Sequence, residues 1–224
     1  MALTFDSNMT DGMLAKLNRH QVASYDNREA IDELDGLGVP ATMFLAGKWI
    51  ERYPDETRRL AADPLFELAS HSYAHRAFHT PCYGLGAIGQ AEMAGDVERS
   101  ERLLAQFTDH PTRYFRFPGG CYDRRALQAI ATTGVEVIQF DVASGDAFGH
   151  SVPAIVDRVL GSVRNGSIVV MHITDGDTAP LTASALPPIV EGLRARGYEL
   201  VRVSTLLSAT GSLTTGSPGH GASP

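Results

Sequence analysis

An α/β protein with about seven parallel strands is predicted by three observations. Seven short apolar or alternating runs recur along the 224 residues, and each has a strand's pattern. Longer stretches with helical spacing separate them, and strands joined by helical crossovers pair in parallel. The turn after the first run reads FDSNMTDG, without the glycine-rich phosphate loop of a dinucleotide-binding sheet. An open doubly wound sheet and a closed barrel both satisfy the alternation; the near-uniform repeat tilts the expectation toward a barrel.

The first run, 2–6 (ALTFD), ends on a carboxylate, Asp6. A helix over 28–36 follows, with Asn27 placed to cap REAIDEL. The second strand, 39–46 (VPATMFLA), leads to a helix over 49–62, and the third, 65–69 (LFELA), to the polar stretch SHSYAH. A helix over 88–107 carries mixed charges at 92–102, which read as a solvated face. The fourth strand, 113–117 (RYFRF), and a helix over 123–133 precede the fifth strand, 135–141 (VEVIQFD). Ser151 opens a helix over 151–164, and the sixth strand, 167–173 (SIVVMHI), contains His172. A helix over 182–196 and a seventh strand, 198–203 (YELVRV), complete one expected domain, residues 1–208. Residues 209–224, rich in Gly, Ser, Thr and Pro, read as a flexible tail.

Composition excludes several classes. The net charge is −7, and the 19 lysines and arginines are scattered, so no nucleic-acid surface is expected. No apolar run is long enough for a membrane span, and no basic and apolar leader precedes ALTFD. Cys82 and Cys121 are too few for a disulfide framework and do not form a C-x-x-C motif.

The ends of the strands carry the chemistry. Asp6, the pair His71 and His75, Arg116, Asp141 and Asp146, and His172 follow or close different strands. In a parallel α/β protein those carboxyl ends share one rim, where such folds build active sites. If SHSYAH forms a helical turn, both imidazoles face the same way and can share a ligand. Each residue also has a plain reading: Asp6 as a turn cap, Arg116 as an ion-pair partner, Asp146 as a turn residue beside Gly145. His79 continues the four-residue spacing and reads either as a surface residue or as a support behind the residues of the site.

With these residues in hand, the chain resembles the polysaccharide deacetylase family, the NodB-homology carbohydrate esterases. Five short motifs recur in order: TFDS, HSYAH, RFPGG, DVASGDA and IVVMH, and GVPATMFLAGKWIERYP resembles the family's second-strand segment. The likeness runs from about Leu3 to about Leu207. It implies a distorted (β/α) barrel with fewer than eight strands and metal-assisted removal of acetyl groups from chitooligosaccharide, peptidoglycan or acetylxylan. By motif position, His71 and His75 would bind a divalent metal, zinc foremost, with cobalt or nickel as alternatives. Asp6 would be the general base, oriented by Arg116, and His172 the general acid, held by Asp146. The Gly119 N–H would stabilise the oxyanion, with Phe117 and Val170 in the same pocket. The resemblance also implies an acetylated glycan as partner, a monomer, and a secreted or cell-envelope location; the missing leader leaves the cytoplasm open.

Three departures stand out. Ser7 occupies the place of the family's third metal ligand, a carboxylate. Water could complete the shell, Asp11 or Asp26 could swing in, or binding could be weakened; retained binding by the two histidines is expected. Gly119 and Ala147 replace a tyrosine and a tryptophan of the pocket, which Phe117, Tyr122, Phe140 and Phe148 could partly restore. Two further functions therefore stay open: an allantoinase-like hydrolase of a non-peptide C–N bond, and a non-catalytic carbohydrate-binding relative. A Cys82–Cys121 bridge across the rim and two free thiols are equally open.

Overall fold

The computed structural model describes residues 1–149 and 151–214. Its elements in chain order are β1 (Ala2–Ser7), α1 (Asp11–Asn18), α2 (Arg28–Gly36), β2 (Ala41–Leu45), α3 (Gly47–Arg52), α4 (Pro54–Ala62), β3 (Phe66–Ser70), α5 (Gln90–Leu104), β4 (Tyr114–Phe115), α6 (Arg124–Ile130), β5 (Glu136–Val137), β6 (Val142–Ala143), α7 (Val152–Ser162), β7 (Ile168–His172), α8 (Thr182–Ala195) and α9 (Val203–Thr214). The seven strands form one sheet in the order β5-β4-β3-β2-β1-β7-β6, with every pair parallel. The α/β class and the strand number agree with the sequence, and the sheet is a curled half-barrel wrapped by helices.

Two predicted strands need correction. The run 135–141 is not one strand: β5 lies at one edge of the sheet and β6 at the other. Ile138 N–H donates to Phe115 O and Asp141 N–H to Ile168 O, so Gln139 and Phe140 alone carry the chain across the gap between the edges. The run therefore gave its pattern to two short strands, because it serves both edges of a nearly closed sheet. The run 198–203 forms no strand. Val201 N–H donates to Met1 O, and the chain then turns into α9, whose first two amides are accepted by Thr42 Oγ1 and Glu67 Oε1. A carboxylate at a helix N-terminus satisfies its orphan donors and favours the macrodipole. The backbone of α9 runs on to Thr214, into the segment read as a tail; residues 215–224 lie outside the described residues.

Helix boundaries follow local chemistry. Asn27 Oδ1 accepts from Ala30 N–H and Ser151 Oγ from Ala154 N–H, as their positions predicted. The stretch 49–62 divides at Tyr53 because Pro54, lacking an N–H, starts a helix more readily than it continues one.

Along the strands, side chains alternate between two environments. Leu3, Phe5, Met43, Leu45, Leu68, Val169 and Met171 face the helices and form the main apolar core. Ala2, Phe44, Ala69 and Ile138 form a smaller cluster inside the curl, closed from below by Val203 of α9. Thr4, Asp6 and Arg116 share that interior. One end of the barrel is thus sealed by apolar packing, and the end at the strands' carboxyl termini is left for polar groups.

Candidate active site

At that open end lies a cavity of about 410 Å³ lined by Asp6, His71, His75, Gly119, Asp146, Val170 and His172, among others. Seven of the nine predicted site residues thus meet in one place. The other two, Arg116 and Phe117, are adjacent in sequence and point in opposite directions. Arg116 is 0% exposed beneath the cavity floor. Phe117 packs outward, edge-on to Phe78 and Phe115 and stacked on Tyr122, so it is a core residue of the α5–α6 side and not part of the pocket wall. Strand alternation allows only one of the two neighbours to face the interior.

Arg116 Nη1 donates to Asp6 Oδ1 and to Thr4 Oγ1, both at 2.8 Å, and Nε donates to Ile138 O. Its guanidinium carbon stands 3.9 Å from the Phe44 ring centroid. The pair is fixed on one carboxylate oxygen, which leaves Asp6 Oδ2 toward the cavity, 3.5 Å from His71 Nε2. His71 Nδ1 donates to Arg116 O at 2.9 Å, a tautomer set by that carbonyl, so Nε2 presents a lone pair. Burial lowers the His71 pKa, against the raising charge of Asp6. A neutral imidazole lone pair facing a carboxylate oxygen at this distance calls for a proton, water or cation between them.

His75 lies beside it, with ring centroids 5.0 Å apart. Burial holds its pKa well below the usual histidine range, and neither ring nitrogen has a hydrogen-bond partner. The two histidines do not sit on a helical turn, as the spacing suggested. They belong to a loop in which Ser72 (φ 65°) and His75 (φ 50°) are left-handed. That loop is held by Asp96 of α5, whose two oxygens accept from Tyr73 N–H (2.7 Å) and Ala74 N–H (3.1 Å). The mixed charges at 92–102 predict a solvated face, but Asp96 turns to the loop; only its i,i+3 phase relative to the buried Met93 distinguishes it from its neighbours.

On the opposite wall, His172 Nδ1 is 2.8 Å from Asp146 Oδ1. Burial alone would lower the His172 pKa, but the charge and hydrogen bond of Asp146 outweigh it and raise the value. Asp146 also accepts from Ser144 Oγ, Ala147 N–H, His172 N–H and Thr182 Oγ1, each within 2.9 Å. Its own pKa is lowered, because these partners overcome the desolvation that would raise it. Thr182, at the start of α8, had no sequence signal. Asp141, also on the predicted rim, instead pairs with Arg164 and binds Ile168 N–H and Ser167 Oγ at the β6–β7 edge.

Ser7 does not reach the cavity. Its buried Oγ accepts from Ala46 N–H at 3.1 Å. Asp11 is exposed and paired with Lys48 and Arg76, and neither it nor Asp26 lines the cavity. Among the described residues, no three His, Cys, Asp or Glu side chains gather as a metal cage. Two buried, neutral imidazoles with free nitrogens nevertheless suit a borderline-soft divalent cation. The fit is therefore a two-histidine fit, and neither proposed carboxylate replaces the third ligand.

A family model described as polysaccharide deacetylase matches residues 1–138, a stretch that holds Asp6, His71, His75, Arg116 and Gly119. The chain belongs to the polysaccharide deacetylase family. Among relatives in this family, it is 29% identical over 180 residues to a chitooligosaccharide deacetylase of Sinorhizobium fredii, covering 76% of this chain and 80% of the relative. It is 24% identical to a peptidoglycan-N-acetylglucosamine deacetylase of Bacillus cereus, over 80% of this chain and 62% of that longer protein. Its fold matches the Bc1960 peptidoglycan N-acetylglucosamine deacetylase, with a TM-score of 0.75 at 23% identity, covering 92% of this chain and 86% of that one. It also matches BA3943, a family pseudoenzyme from Bacillus anthracis, with a TM-score of 0.72 at 21% identity, covering 92% and 66%. Polysaccharide deacetylase folds thus include both active and inactive proteins.

Cys82 and Cys121 are bonded, with Cα atoms 6.0 Å apart, and the bridge ties the loop after β3 to the loop after β4 beside Gly119.

Proposed function

We propose that this chain hydrolyses acetyl groups from N- or O-acetylated glycans, with a divalent metal, zinc foremost, bound by His71 and His75. The observation that carries the reading is the pairing of opposite proton-transfer groups across one cavity. Asp6 is clamped on one oxygen by Arg116, and the Asp146 carboxylate against His172 Nδ1 raises the His172 pKa and so favours its protonated form. Carboxylate and imidazolium on facing walls are what a general base and a general acid require.

When bound, the metal would polarise the acetyl carbonyl and acidify a water molecule. The chain's own residues supply the proton transfers. Asp6 Oδ2 takes a proton as water oxygen bonds to the acetyl carbon. Gly119, in the cavity wall, offers its N–H to the developing oxyanion. His172 then gives its proton to the leaving nitrogen or oxygen as that bond breaks, releasing acetate and a free amine or hydroxyl. Asp146 and Thr182 keep the imidazole turned for that transfer. All these groups come from one chain, so the proposed working unit is a monomer, and an acetylated wall glycan implies action in the envelope or outside the cell.

A second reading, a glycan-binding relative without activity, is favoured by one observation: Ser7 is engaged by Ala46 and provides no third ligand. Acetate release from N-acetylglucosamine oligomers and acetylated xylan separates the two. Chelator-stripped protein should release acetate only after zinc, cobalt or nickel is restored. Silence with every metal would leave the binding reading.

A further inference from the structure

Two aromatic rings that the proposed chemistry does not use stand at the mouth of the cavity. Tyr83 is 71% exposed and Phe148 64% exposed, yet their centroids lie 5.3 Å apart with planes tilted by 32°, and both line the cavity that holds His71 and His172. They come from distant loops, one after β3 and one after β6.

The backbone around Tyr83 is specialised for this display. Leu85 N–H donates to Cys82 O, closing a turn whose two central residues, Tyr83 (φ 44°) and Gly84 (φ 74°), both have positive φ. A left-handed conformation is uncommon for a bulky residue and persists only where surroundings impose it. The disulfide from Cys82 to Cys121 anchors the turn on one side. The opposing surface is Gly119, where a Cβ would come within 2.6 Å of Cys82 Sγ and 3.1 Å of Tyr83 Cδ2. Glycine is thus obligatory at 119 because the bridge and the Tyr83 ring already fill the space of a side chain. Likewise Ala147, inside the cavity, is followed at once by the exposed Phe148.

We propose that Tyr83 and Phe148 form a stacking platform for a pyranose ring adjoining the acetylated residue of a glycan. The aromatic area absent at positions 119 and 147 is supplied here from positions 83 and 148, whose rings line the same cavity at its exposed edge. Flat, rigid rings with little rotamer entropy to lose are suited to the apolar face of a sugar. A platform at the exposed edge of the cavity favours oligomers, whose second ring can rest on it while the first presents its acetyl group to the catalytic residues. The glycan's identity rests on the deacetylase reading; stacking does not.

Calorimetric titration of the full chain with the tetramers of N-acetylglucosamine and of acetylated xylose tests the proposal, with acetate release followed in parallel. Tyr83→Ala and Phe148→Ala should each weaken binding of the recognised tetramer roughly ten-fold, and Tyr83→Phe should bind within about two-fold of the parent. Melting temperatures check that each variant folds. The ratio of kcat/KM for the tetramer to that for 4-nitrophenyl acetate should fall about ten-fold in the alanine variants. Binding that ignores both rings, or no binding of either tetramer by the parent, overturns the platform. Ring-dependent binding without acetate release supports the platform and overturns only the deacetylase reading.

Discussion

Asp6 and Asp146 are buried carboxylates on the same rim, and their partners separate their roles. Asp6 keeps one oxygen free toward the cavity, while Asp146 uses both oxygens to hold its surroundings. Asp6→Asn should therefore lower kcat by roughly two to four decades while zinc still binds, measured by acetate release alongside metal analysis. His71→Ala should lose metal and activity together. The acid's protonation is set by Asp146, so a sign follows: the raised His172 pKa keeps the imidazolium present to higher pH. Asp146→Asn removes that charge, and the alkaline limb of the kcat profile should move to lower pH. An unmoved limb would show that another group is the acid.

At the scale of elements, a short helix and a loop define the histidine pair. A Cβ on Gly47, the first residue of α3, would lie 2.4 Å from Tyr73 Cδ2 and 3.0 Å from Tyr73 Cα. Gly47→Ala should push the loop that carries His71 and His75. A loss of about 1–3 kcal/mol in unfolding free energy and weaker zinc binding are expected, read by denaturant titration and calorimetry. The face of α5 toward the sheet offers a second test. Burial pushes Glu101 up to about 7, against the lowering charge of Arg113. The folded chain then holds a proton that the unfolded chain releases above about 4.5, so this group's contribution to stability falls as pH rises from about 4.5 to about 7. Glu101→Gln should raise the melting temperature at pH 8 and leave it nearly unchanged at pH 4.

Across the whole molecule, the nearly closed sheet and the disulfide serve one purpose: they hold together loops from distant parts of the chain. The bridge closes a loop of 39 residues in sequence separation. By the chain-entropy account its removal should cost about 2–4 kcal/mol, so Cys82→Ser with Cys121→Ser should melt at a clearly lower temperature. Five strand positions and most helices were legible because each carries its own signal, such as the alternation in ALTFD or the cap at Asn27. The division of VEVIQFD between the edge strands β5 and β6 was not, because the break is set by pairing with Phe115 on one side and Ile168 on the other, partners far away in the chain. The run YELVRV has a strand's pattern, but its backbone meets Met1 at the barrel's sealed end and turns into α9.

The strand–helix alternation, the family, and the residue types at the catalytic rim can be read along the chain, because they depend on local pattern and motif order. The folded chain, in contrast, fixes where neighbouring side chains point. It turned Arg116 inward and Phe117 outward, tied Ser7 to Ala46, and brought Asp96 and Thr182 to the site from α5 and α8, Thr182 with no local signal and Asp96 with only its helical phase. It also joined Cys82 to Cys121 and set Tyr83 against Phe148. The reason is physical: those outcomes depend on the packing of segments far apart in the chain, and no window of sequence contains both partners of such a contact.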